Sequence, residues 1–174
     1  MRKLKTTLSI IIVLLYISLS NAQENNKTSA SDFKLLVGTW QGTLTYLDYS
    51  SGKPYTMAAE LEIKRLDKTN KFILSNIYPK EPSANSVDTL TISSNGRYID
   101  NELIKLRKKL ENGEIEIITE KPGKDGNDNK PAILRYTYTI SKTAFKKRKD
   151  VQFTGETKWI NRHEYSYKLK SGKS

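Results

Sequence analysis

The chain has 174 residues, no cysteine, and a formal charge of +11 at pH 7 from 30 Lys+Arg against 19 Asp+Glu. That length predicts one domain. A chain without cysteine has no disulfides, zinc–thiolate sites or iron–sulfur clusters, so packing alone must hold the fold.

The first 22 residues have the layout of a secretory signal. Arg2, Lys3 and Lys5 precede an apolar run over 8–19, and Ser20 and Ala22 form a small-residue cleavage pair. The apolar run is shorter than the roughly 20 residues a membrane-spanning helix needs. No cysteine follows it to carry a lipid anchor. The expectation is an exported chain, periplasmic or secreted, that does not span a membrane. Losing the signal takes three Lys/Arg from +11 and leaves +8. Residues 23–31 are polar without apolar period and read as a disordered linker. The domain is expected over 32–174.

From Asp32 a helical turn capped by that residue is predicted over 32–36. Strand signals follow. Over 39–49, Trp40, Gly42, Leu44 and Tyr46 share one face, with Gln41, Thr43 and Thr45 on the other. A turn at 51–54 leads to 55–66, where Met57, Ala59, Leu61 and Ile63 oppose Glu60, Glu62 and Lys64, the pattern of a half-buried strand. A strand over 71–78 carries Phe72 and Leu74 and is broken at Pro79 and Pro82. Another is predicted over 86–93. Asn95-Gly96 and Asn112-Gly113 are hairpin turns, because both central residues of a type I′ turn need φ > 0. Between them a strand over 97–110 bends near Asn101. Strands over 114–120, 132–140, 150–159 and 162–169 complete the chain, with a long loop at 122–131. Eight to ten strands joined by short turns form an up-and-down meander, and closing it removes the exposed edges. The fold class is all-β, an antiparallel barrel; a two-sheet sandwich is the alternative.

Leu36-Val37-Gly38-Thr39-Trp40 opens the first strand. Gly38-x-Trp40 resembles the signature of the lipocalins (calycin superfamily). The wider stretch Gly38 to Gly52 is similar to small exported lipocalin-like proteins of Bacteroidetes-type bacteria. The resemblance implies a Trp40 inside the closed end of the barrel and a basic residue of the last strand packed across its indole. Arg162, opening that strand, is the residue for this part, and Trp40 and Arg162 are expected to touch.

A lipocalin-like barrel can enclose one small ligand, or its interior can be filled by side chains. For a ligand, the inward positions Leu44, Tyr46, Met57, Ala59, Leu61 and Phe72, with Tyr78 at a mouth, form the candidate lining for an apolar or amphipathic molecule. Tyr46, Tyr49, Tyr55 and Tyr78 cluster near one set of turns. The runs Lys146-Lys147-Arg148-Lys149 and Arg107-Lys108-Lys109 read as solvated turns and lysine-protected edges. They also suit an anionic envelope component. No aromatic residues interleave them as a nucleic-acid platform requires. Alternating oxygen ligands over 125–129 suggest calcium, but the EF-hand register fails at Lys130 and Tyr136. His163 stands alone, too little for a multi-histidine metal site. One histidine suffices for axial haem ligation, and small bacterial barrels of the nitrobindin type begin with a similar Gly-x-Trp strand. By regular alternation, however, Arg162 and His163 cannot both point inward. Asp48 and Glu60 fall on opposite faces, and no nucleophile–base set stands out. The expectation is therefore a monomeric, non-enzymatic binder without cofactor. The alternative is an envelope interaction module or inhibitor acting through a basic, Tyr-rich surface.

Overall fold

The computed structural model describes residues 26–48 and 50–170, so the signal segment and Tyr49 lie outside the described residues. A one-turn helix α1 (Ala30–Lys34) precedes ten strands: β1 (Gly38–Leu47), β2 (Pro54–Arg65), β3 (Lys71–Ile77), β4 (Ser86–Thr91), β5 (Tyr98–Ile99), β6 (Glu102–Lys109), β7 (Ile115–Asp125), β8 (Lys130–Ile140), β9 (Ala144–Phe153) and β10 (Ile160–Leu169). They form one antiparallel sheet in the order β4-β3-β2-β1-β10-β9-β8-β7-β6-β5. The first and last long strands pair from Trp40↔Leu169 to Tyr46↔His163. At the other seam the bridge Ile92↔Ile99 joins the end of β4 to β5, so the barrel is nearly closed. This is the expected lipocalin-like architecture.

Turn chemistry explains much of the meander. Gly96 and Gly113 sit at φ +71° and +83°, as their hairpins demand. Gly42 has a different reason. A Cβ there would lie 1.9 Å from the backbone oxygen of Ser166, so only glycine lets β10 approach β1 this closely.

α1 covers one end of the barrel. Phe33 packs against Phe72 and Tyr138 with ring centroids 6.0 and 5.9 Å apart. The Asp32 carboxylate accepts from Arg107 of β6 at 2.9 and 2.7 Å and from the Thr28 hydroxyl at 2.7 Å. Burial alone would raise this carboxyl; the bonds from Arg107 and Thr28 bring it below its usual range. Asp32 is the third residue of the helix rather than its cap, which is Ser29.

Several boundaries differ from expectation. The ordered structure takes in part of the segment read as linker: Thr28 is buried and its N–H donates to the Gly96 carbonyl at 2.9 Å. The long loop at 122–131 shrinks to residues 126–129, because β7 and β8 pair out to Asp125↔Lys130. The strand predicted over 150–159 lies earlier, as β9 over Ala144–Phe153, so the lysine-rich run is strand rather than turn and 154–159 is the connection to β10. The predicted 97–110 strand is split at Asp100, which adopts φ +53° between β5 and β6.

Candidate functional site

Packing inside the barrel changes along its axis. At the end covered by α1, inward side chains are fully packed: Phe33, Leu36, Trp40, Leu61, Phe72 and Phe145 are at most 2% exposed. The space left where Phe33, Leu36, Phe72 and Phe145 meet Leu74 and Lys147 from the level above is about 10 Å³, no more than a single water molecule needs. One tier higher the strand registers point Leu44, Leu74, Asn76, Tyr136, Lys147 and Tyr165 inward as well. These side chains are only half-buried, and inward-facing Asp88 is exposed. Inward residues that keep accessible surface border an open lumen above a filled floor. At the mouth a cleft of about 560 Å³ is lined by Tyr46, Asp48, Asn127, Lys149, Arg162 and His163.

The expected ligand-lining residues are therefore divided between levels. Leu61 and Phe72 belong to the floor. Met57 and Ala59 are buried in the β2 wall. Leu44 faces the lumen, and Tyr46 lies at the mouth, 5.6 Å from the Tyr55 ring. The hydroxyl of Tyr78, just after β3, shares a 2.8 Å hydrogen bond with that of Tyr165 of β10.

Trp40 lies inside the covered end, fully buried. Its Nε1–H donates to the Leu36 carbonyl at 2.8 Å, and its ring meets Phe145 edge-on at 6.3 Å. Gly38 opens β1 at φ +144°. Arg162 is not packed across the indole. Trp40 pairs with Leu169, seven residues further along β10, which places Arg162 roughly 23 Å away along the strand. Its Nε instead donates to Asp125 Oδ2 at 2.5 Å, and its guanidinium lies 5.6 Å from the Phe153 ring centroid. A register shift between Asn161 and His163 explains the arrangement. The bulge inserts one extra residue, so Arg162 and His163 both reach the interior, which a regular strand forbids.

The lumen carries charge that hydropathy did not reveal. The run 146–149 alternates: Lys146 and Arg148 face out and are exposed or paired with Asp150, while Lys147 and Lys149 face in with Phe145 and Val151. No continuous basic strip therefore exists at this place. In the other basic run Arg107 turns in to Asp32 and Lys108 pairs with Glu116 outside. Besides Arg107, three inward cations have a carboxylate partner. Lys121 reaches Glu102 at 3.1 Å, Lys149 reaches Asp125 at 2.9 Å, and Arg162 shares Asp125. Among the described residues Lys147 has none; its Nζ lies 5.5 Å from the centroids of both the Tyr136 and Tyr138 rings. Burial lowers the Lys147 pKa, and the charges of Glu102, Asp100 and Asp88 offset this only in part. His163 is pushed down to about 4, by burial first and then by Lys149 and Lys147, so it is neutral at pH 7. Burial would raise Asp125, but Lys149 and Arg162 hold it below its usual range. Both of its oxygens are engaged by these cations, which removes it from the calcium reading of 125–129.

Lys121, Lys147, Lys149, Glu102 and Asp125 were missed as interior residues because charge was read as surface. The available signal was the period of two through Phe145, Lys147, Lys149 and Val151, which places apolar and cationic residues on one face.

No family model and no curated protein matches the chain. Among solved structures it is similar to the crystal structure of Rv2717c from M. tuberculosis, at a TM-score of 0.48 and 12% identity over 83% of this chain and 99% of that one. It is also similar to the S-type phycobiliprotein lyase CPES from Guillardia theta, at 0.46 and 8% over 87% and 98%.

Proposed function

We propose that this barrel binds one small amphipathic molecule in the open upper half of its lumen, and that it does so outside the cytoplasm after export. The half-buried inward tier above a packed floor carries the reading: these side chains border space that the protein itself does not fill. The apolar part of a ligand rests on Leu44, Leu74 and the tyrosine rings, and its polar part meets the hydroxyls and charges of the upper wall. The depth is limited, because the floor of Phe33, Phe72 and Tyr138 leaves no room for a chain to pass between the strands and α1.

Native mass spectrometry of the protein purified from its own host tests this directly. A bound small molecule of defined mass is expected. Replacing Leu44, which faces the lumen and does not border the floor's residual space, with Trp should displace it while leaving the floor intact. A barrel that is always empty, with no thermal shift across a panel of lipids and metabolites, overturns the proposal.

A further inference from the structure

We infer that the lumen selects a ligand bearing a single carboxylate, with Lys147 as its counter-ion. This rests on the proposed lumen site and names the chemistry of its occupant.

Lys147 is the inward cation that the described protein leaves without a carboxylate in contact. The groups facing it are known from every wall. Asp88 of β4 accepts from the Asn76 amide at 2.8 Å and the Ser86 hydroxyl at 3.2 Å. Asp100, before β6, accepts the Thr91 N–H at 2.7 Å. Glu102 of β6 accepts from Thr119 at 2.6 Å and pairs with Lys121 of β7. On β8 and β10 the neighbours are Tyr136, Tyr138 and Tyr165, the last being the cross-strand partner of Lys147. Each acid is thus engaged close to its own strand, and none contacts the ammonium. Desolvating an ammonium without a hydrogen-bonded counter-charge is costly. A ligand carboxylate supplies that charge and accepts charge-assisted N–H bonds. A dianionic phosphate fits less well, because its second charge would face Asp88, Asp100 and Glu102 with no further unpaired inward cation among the described residues to meet it. The apolar surfaces of Leu44 and Leu74 on the same tier suit the remainder of the molecule.

The test compares decanoate, 1-decanol and decyltrimethylammonium by calorimetry on the whole mature chain, at neutral pH and low salt. Wild type should bind decanoate about ten- to a hundredfold more tightly than decanol, the range of a charge-assisted hydrogen bond. Lys147→Met should remove this margin, whereas Lys146→Met, on the outer face of the same strand, should keep it. Equal binding of decanoate and decanol by wild type overturns the carboxylate assignment and leaves the lumen site standing. Tightest binding of decyltrimethylammonium overturns it in favour of the acidic wall. Binding of none of the three overturns the lumen reading and this inference with it. The wild-type comparison decides the matter even where the variant fails to fold.

Discussion

Asp125 and Arg162, 37 positions apart, meet in a buried ion pair in which Lys149 grips the second carboxylate oxygen. Asp125→Ala leaves two cations at the barrel mouth without their shared partner. Removing one member of a buried charge cluster costs about 3–5 kcal/mol, and urea denaturation should show a loss of that size. Lys149→Met should cost less, because Asp125 keeps Arg162. An Asp125→Ala protein as stable as wild type would show that solvent replaces the carboxylate freely there.

His163 makes the fold sensitive to mild acid. Its folded pKa of about 4 lies below the ordinary 6.5, so the unfolded chain binds the proton first. The stability it contributes is complete above about 6.5 and is lost as pH falls toward 4. Partial contact with solvent limits the loss to roughly 2–3 kcal/mol. Asp32 and Asp125 are lowered carboxylates, so their share disappears only at still lower pH. Melting temperatures at pH 7, 5.5 and 4.5 should fall steadily for wild type and much less for His163→Gln.

Trp40 and Arg162 belong to opposite ends of the barrel, and their substitutions should act independently. Trp40→Ala removes a fully buried ring and should cost about 3–5 kcal/mol. Combined with Arg162→Met, the two losses should add to within about 0.5 kcal/mol, as for other residues without shared partners. A coupling above 1 kcal/mol in a double-mutant cycle would contradict this separation.

Gly42→Ala should open the barrel seam. The new methyl group has no space against Ser166, and the obstacle is backbone rather than a side chain that could swing away. The cost should reach about 3 kcal/mol or more. Hydrogen exchange should quicken selectively at the β1–β10 ladder, while the β7–β8 hairpin keeps its protection. Unchanged exchange along β1 would disprove the close approach.

The strand rhythm was legible wherever one face is apolar and the other polar. Trp40, Leu44, Met57, Ala59, Leu61 and Phe72 all lie inward, as their alternation indicated, and the Asn-Gly turns lie between the strands they were expected to join. Legibility failed where the interior itself is polar. In β9 the inward row changes from Phe145 to Lys147 and Lys149 and back to Val151, so the alternation of hydropathy vanishes although the alternation of direction persists. The bulge at Arg162 was invisible for another reason. It depends on the register between β9 and β10, a relation between two segments that neither carries alone. The expected lining accordingly spans both levels: Leu61 and Phe72 lie in the floor, while Leu44 faces the lumen and Tyr46 lies at the mouth.

The seam between β1 and β10 also fixes when the molecule can become whole. Its register joins residues 40–46 to residues 163–169, so this closure waits until the chain has been synthesised through β10. Contacts so distant in sequence require the ordering of everything between them before any energy is returned, and such topologies fold slowly. Until the final strand arrives, β1 and β9 each present a bare edge able to pair with another chain. Truncation after Glu164 should therefore yield an aggregating chain, even though Phe33, Leu36, Trp40, Leu61, Phe72 and Phe145 of the floor would all still be present.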